Sequence, residues 1–147
     1  MKLSKYSIGI VDRFSHEGIA QLRAVMKANQ AGLDLSPVWN KSNREHQIVH
    51  SEPMDVRLEA DAAVKALGFT GSYFVDADHI NLSTVAPFVE ASNFFTLDVA
   101  SFIGKPSTEE AVNAFMETCR PYLGELKVPG IETPFHLTES LLRDLAG

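Results

Sequence analysis

The chain is 147 residues long, with 45% hydrophobic and 22% charged residues and a formal net charge of -6. That length fits a single domain able to bury about two thirds of its unfolded surface, and the composition argues against a disordered or fibrous chain. Lys and Arg never gather into a tract, so neither a duplex nucleic-acid footprint nor an anionic-membrane patch has compositional support, while a small anionic ligand remains compatible through local charge.

In chain order, SIGIVDRF (7–14) is a β-rich run ending in charge. GIAQLRAVMKANQAG (18–32) follows, with Ile19, Leu22, Val25 and Met26 at helical spacing and a glycine stop at Gly32. LDLSPVW (33–39) is the next strand, NKSNREH (40–46) reads as a polar loop, and Met54–Leu67 reads as a helix ending at Gly68. Ala62, Ala63, Ala66 and Leu67 give it a packable face behind Asp55, Val56, Leu58 and Glu59. GSYFVDADHI is the third strand, followed by a short helix in TVAPFVEAS (84–92) with Pro87 in its first turn. NFFTLDVASFIG (93–104) is the fourth strand, and Phe94 and Phe95 read as strand core. Ser107 to Glu110 forms a capping-box pattern before a helix that runs through Tyr122 and buries Ala111, Val112, Phe115, Met116 and Cys119. A VPG turn (128–130) and a short TESLLRDL helix close the chain.

Strands alternating with helices predict a parallel α/β sheet, because each parallel connection needs a crossover. A doubly wound sheet and half of a β/α barrel both satisfy the pattern. Neither GxGxxG nor GxxxxGK[ST] occurs, which removes the glycine fingerprints of nucleotide binding. There is no GxSxG elbow, no HExxH and no paired CxxC. Cys119 is the only cysteine, so no internal disulfide forms, and its apolar setting reads as structural. The first residues lack a secretory pattern and no run approaches the roughly 18 apolar residues of a membrane span, which makes the cytoplasm the expected compartment.

The polar residues collect at the predicted strand ends: Asp12 and Arg13; Asn40, Lys41, Asn43, Arg44 and His46; Asp76, Asp78 and His79; and Asp98. In a parallel sheet these ends share one face, the usual ligand site. Lys41 and Arg44 suit a carboxylate, and His46 lies in the same segment. His50 and His136 read as surface or loop residues. DADH (76–79) is the densest cluster, because three ionisable groups in four residues cost desolvation unless paired, hydrated or metal-bound. Its donors suit Mg, Mn, Fe or Zn. Asp76 and Asp78 share a strand face, whereas His79 joins them only if the strand has already ended.

IGIVDRF, PVWNKSNREH, VRLEADAAVKALGF, VDADHINLSTV and FFTLDVASFIG together resemble the tagaturonate epimerase family, over nearly the whole chain. The resemblance implies one partial domain over 1–147, with about four βα units forming half of a TIM-like (β/α)8 barrel in a chain shorter than the family's members. It implies metal-dependent interconversion of tagaturonate and fructuronate in hexuronate breakdown, with Mn, Ni, Zn, Fe or Mg as the metal. By the same resemblance Asp78 matches the proton-accepting aspartate and His79 the first metal ligand. Asn40, Lys41, Arg44 and His46 become substrate-binding candidates, and Asp12, Arg13, Asp76 and Asp98 supporting ones. The remaining metal ligands and the opposing acid would lie outside this sequence. The epimers differ at a hydroxyl-bearing carbon β to the ketone, which a single α-proton abstraction cannot invert. Retroaldol cleavage and re-addition, transient oxidation or carbonyl migration each can. The expected partner is a small anionic sugar acid, with self-association through exposed sheet edges; a non-catalytic sugar-acid-binding or assembly module is the alternative.

Overall fold

The computed structural model describes residues 3–129 and 131–146. The chain divides into two compact units, Met1–Ser101 and Phe102–Gly147. The first unit contains β1 (Tyr6–Ile10), α1 (Gly18–Gln30), β2 (Leu35–Ser42), α2 (Asn43–Val49), α3 (Pro53–Leu67), β3 (Phe74–Ile80) and β4 (Phe94–Leu97). The strands form one parallel sheet in the order β1-β2-β3-β4. Each strand is added on the same side of its predecessor. A doubly wound sheet reverses direction at a switch point, so this order selects the architecture of roughly half a (β/α)8 barrel.

The helix-facing side of the sheet carries the core. Leu22 of α1, Trp39 of β2, Val56, Ala60 and Ala63 of α3, and Val75 of β3 form one buried cluster. Ala60 and Ala63 are fully buried, and their small side chains let α3 lie close to the sheet. Trp39 donates its indole N–H to Gln21 Oε1 at 2.9 Å and meets Tyr73 edge-on, so its one polar atom is satisfied. Helical spacing overcounts this face: Ile19, Leu58, Ala62 and Ala66 are exposed. Gly18 opens α1 where its N–H donates to Glu59 Oε1 at 2.8 Å, and a Cβ there would sit 2.7 Å from that oxygen. Glycine is the residue that allows α1 and α3 this approach. Pro53 in the first turn and Gly68 at φ +58° bound α3.

The segment expected to be a polar loop, 40–46, is instead ordered. Asn40, Lys41 and Ser42 continue β2 in register with Asp76, Ala77 and Asp78, and Asn43 opens α2. A capping box explains the abrupt change: Ser42 Oγ accepts the Glu45 N–H, and Glu45 Oε2 accepts the Ser42 N–H at 3.0 Å. The short helix expected in 84–92 contracts to a 3-10 turn, Ala86–Phe88, that buries Phe88. Both outer strands leave apolar groups exposed, Tyr6 and Ile8 on β1 and Phe95 and Leu97 on β4. Phe95 is therefore not core, while Phe94 is half-buried and edge-on to Phe74.

The second unit holds α4 (Glu109–Cys119), a 3-10 turn (Arg120–Tyr122), an antiparallel pair of β5 (Gly124–Leu126) and β6 (Phe135–Leu137), and α5 (Glu139–Ala146). Met116, Leu137 and Leu142 form its core, with Val112 and Cys119 partly buried against them. Ala111 and Phe115, expected on the buried side, are exposed. Thr108 rather than Ser107 caps α4, accepting the Ala111 N–H at 3.2 Å. The expected VPG turn extends to position 130, outside the described residues. No helix among the described residues is long and apolar enough to cross a membrane.

Truncating Leu22 to Ala is expected to cost about 2–5 kcal/mol, because a fully buried side chain leaves a cavity beneath Trp39 and α3. Ile19→Ala, one turn earlier on the exposed flank, should cost under about 1 kcal/mol by urea denaturation.

Candidate active site at the strand ends

A cavity of about 420 Å³ opens where the first unit's polar strand ends meet, lined by Ser42, Asn43, Arg44, Glu45, Asp78, His79, Thr84 and Asp98. Two local devices build its walls. The capping box at Ser42 turns the chain from β2 into α2 and places Arg44 and Glu45 along the rim. Glu45 Oε1 also lies 3.8 Å from Arg13 Nε, whose side chain is more than half exposed. The second device is in β3. Its pairing with β4 shifts between Ala77 and Ile80, and His79 adopts a left-handed backbone at φ +52°.

That bulge answers the geometric question posed by DADH. Strict alternation would send His79 to the face opposite Asp78. The extra residue and the left-handed turn re-aim it, so both line the same cavity without the strand having ended. Pairing resumes when Asp98 donates its N–H to the Ile80 carbonyl at 2.9 Å. A non-glycine residue in this conformation costs about 1 kcal/mol. The contact between His79 Nδ1 and Asp78 Oδ1, at 2.9 Å, opposes that cost and fixes the ring, leaving Nε2 as the nitrogen for a ligand.

Asp76 lies one layer lower and does not line the cavity. It is 6% exposed and accepts the Thr96 backbone N–H at 3.0 Å and the Thr96 hydroxyl at 2.7 Å. Burial raises its pKa; the Thr96 bonds work against that, and the neighbouring Asp78 charge adds to it. Asn40 stands opposite Asp76 in register, with its side-chain oxygen buried.

Lys41, Asp12 and His46 also sit away from this cavity. Lys41 follows Trp39 on the helix-facing row, is 1% exposed, and donates to the Arg13 carbonyl at 2.5 Å and to Ser51 Oγ at 2.7 Å. Burial lowers its pKa against the restraint of Asp55, Glu45 and Asp12. His46 is buried with Nδ1 2.9 Å from Ser51 Oγ, and its pKa is lowered by burial and then by Lys41. Asp12 accepts the N–H groups of Phe14, His16 and Glu17, which outweigh its partial burial and lower its pKa. It organises the approach to α1. Sequence reasoning passed over Glu45 and Thr84, although the Ser42-x-x-Glu45 spacing already carried the cap that fixes Glu45.

Among the described residues, no three His, Cys, Asp or Glu side chains converge to hold a metal ion. The cavity offers His79 Nε2 and nearby carboxylates, which is an incomplete donor set.

The fold and cavity define a parallel β/α half-barrel with a polar site at its strand ends. Its fold is that of part of fructuronate-tagaturonate epimerase UxaE from Cohnella laeviribosi. The native structure of that enzyme and its complex with one glycerol each match at a TM-score of 0.61 and 21% identity, covering 99% of this chain and 32% of that one. The two-glycerol complex matches at the same TM-score and 20% identity, over 97% and 31%. This chain thus spans about a third of the epimerase's length. No protein-family model and no curated protein sequence matches.

Asp76→Asn is expected to raise the melting temperature at pH 7. A carboxyl with a raised folded pKa binds more protons folded than unfolded, so stability falls as pH climbs above the ordinary value of 3.8 and stays lower beyond the folded pKa. Asparagine keeps an acceptor for the Thr96 N–H and a donor for its hydroxyl while removing the charge. The advantage should vanish in melts below pH 3.8.

Proposed function

We propose that the chain supplies a strand-end portion of a hexuronate epimerase site, acting on tagaturonate and fructuronate, and that it belongs to the tagaturonate epimerase family. The observation that carries this is the presence of Arg44 and the Asp78–His79 pair in the walls of one cavity of about 420 Å³, within the usual range of small-molecule sites. Support comes from the fold shared with the epimerase and from the sequence blocks that resemble its family.

Arg44 presents a planar guanidinium suited to two parallel hydrogen bonds with the substrate carboxylate. That anchor brings the hydroxyl at the inverted carbon towards Asp78. Asp78 takes the hydroxyl proton as the bond to the carbon next to the ketone breaks, and the bond's electron pair moves into the ketone as an enolate. Rotation of the released aldehyde and re-addition reform the carbon–carbon bond with the opposite configuration. Asp78 then returns its proton to the new alkoxide. The His79 contact holds Asp78 in one orientation throughout. A divalent ion (Mn, Ni, Zn, Fe or Mg) with His79 Nε2 as one donor would supply electrophilic polarisation of the ketone, its other donors coming from outside the described residues.

The incomplete donor set favours a second reading, a sugar-acid-binding or assembly module that keeps the recognition residues without turnover. The exposed apolar groups on β1 and β4 suit assembly through the sheet edges, with a second copy as one partner.

Calorimetric titration should show saturable binding of tagaturonate and none of tagatose, which lacks the carboxylate. Arg44→Gln should weaken binding tenfold or more, in line with about 1.5–3 kcal/mol for a hydrogen bond to a charged group. Asp78→Asn should keep binding and abolish any epimer formed on NMR. Binding without turnover in the unaltered chain would establish the second reading, and equal affinity for tagatose would overturn both.

A further inference from the structure

A second cavity, of about 350 Å³, lies beside α2 and is lined in part by Asn43, His46, Gln47, His50 and Ser51. Its chemistry differs from that of the strand-end site. After α2, His50 takes a left-handed turn at φ +54°, and Ser51 follows with its N–H donated to the His46 carbonyl at 3.1 Å. The turn places Ser51 Oγ 2.9 Å from His46 Nδ1 and 2.7 Å from Lys41 Nζ. We propose that Ser51 is a nucleophile for acyl transfer from small carboxylic esters, with His46 as its base, Lys41 as a charge-stabilising donor, and Asn43 and Gln47 as amide donors to the oxyanion.

The roles follow from the geometry. A nucleophilic serine is recognised by a base within hydrogen-bond reach and a third group that orients the pair, irrespective of sequence order or fold. His46 is buried and edge-on to Phe88 at 5.6 Å between ring centres, which holds the imidazole in place. Burial and then the facing Lys41 charge lower its pKa and favour the neutral ring, against the opposing influence of the Ser51 backbone, Asp55 and Glu45. In the tautomer that carries its proton on Nε2, Nδ1 accepts the Ser51 proton. The Lys41 ammonium already donates to Oγ, which eases loss of the hydroxyl proton to His46 by stabilising the alkoxide character that precedes bond formation. Asn43 and Gln47 occupy positions i and i+4 of α2, so their amides project from one helix face into this cavity.

The step balances without a further co-reactant. Ser51 Oγ bonds to the ester carbon, its proton passes to His46 Nδ1, and the carbonyl pair becomes the oxyanion. Collapse expels the alcohol, which takes the proton from His46. Water then repeats the sequence on the acyl-serine, releasing the carboxylic acid and restoring Ser51. This site is independent of the epimerase reading and stands or falls separately.

The test treats the intact chain with a small alkyl fluorophosphonate, which releases fluoride when a nucleophilic serine attacks phosphorus. One adduct per chain is expected, mapped to Ser51 by peptide mass spectrometry. Ser51→Ala should remove it, the exposed Ser107→Ala should leave it unchanged, and His46→Gln should slow it at least tenfold. Cooperative melts establish that each variant is folded. Should His46→Gln fail to fold, the unaltered chain's labelling rate supplies the same information, falling as pH drops through a titration below the usual histidine value. Absence of an adduct, adducts spread over exposed serines, or a rate insensitive to both His46 and pH would overturn the assignment.

Discussion

The parallel register of β2 on β3, from Val38 opposite Phe74 to Ser42 opposite Asp78, sets the height and side of the principal polar groups in the first unit. Because side chains alternate, one pairing fixes two rows at once. Trp39 and Val75 turn towards the helices and close the core, while Asn40, Asp76, Ser42 and Asp78 fall on the other face. A slip of one residue would place the charges in the apolar core and the tryptophan outside it. The fold and the candidate site therefore depend on the same hydrogen-bonded ladder.

Two ionisable groups are buried on opposite faces of this sheet, Lys41 and Asp76, and they meet desolvation in different ways. An unpaired buried charge carries a penalty of several kcal/mol after relaxation. Asp76 receives two hydrogen bonds from Thr96, and its proton affinity still rises because burial dominates. Lys41 donates to a carbonyl and a hydroxyl and draws on the more distant charges of Asp55, Glu45 and Asp12. In binding Arg13 and Ser51 together, it fastens the loop after β1 to the segment before α3. Its distance from the strand-end cavity follows from its row on β2, the row of Trp39.

Much of this was legible in the sequence, for identifiable reasons. The βα alternation and the apolar spacing around Leu22, Val25, Val56 and Ala63 announced the first unit, since helical period and burial coincide there. The convergence of Arg44, Asp78 and Asp98 followed from parallel topology alone. What periodicity could not convey was the direction of Lys41 and His79. The run NKSNREH looked like a loop because its residues are polar, yet polar residues are where a strand ends directly in a capped helix. His79 required a bulge, which depends on pairing with β4 across a large sequence separation. The β5–β6 pair escaped notice because strands of three residues carry too few side chains to show alternation.

The bulge at His79 and the left-handed turn at His50 serve comparable ends at two places on one unit. Each is a non-glycine residue held at positive φ, and each lies where a polar side chain must leave the direction set by its element. At His79 the strained residue is itself re-aimed, and Asp78 holds it. At His50 the residue after the turn is the one re-aimed, and the serine is held from two sides. Backbone strain of this kind persists only where surrounding contacts over-determine it, which is why such residues gather at functional sites. The sheet supplies that determination for His79, through register on both sides of the bulge. Helix α2 supplies it for His50, its capping box anchoring one end and the His46 carbonyl receiving the Ser51 N–H at the other. Regular elements in this half-barrel thus act as rigid mounts for two irregular residues, one in the lining of each cavity.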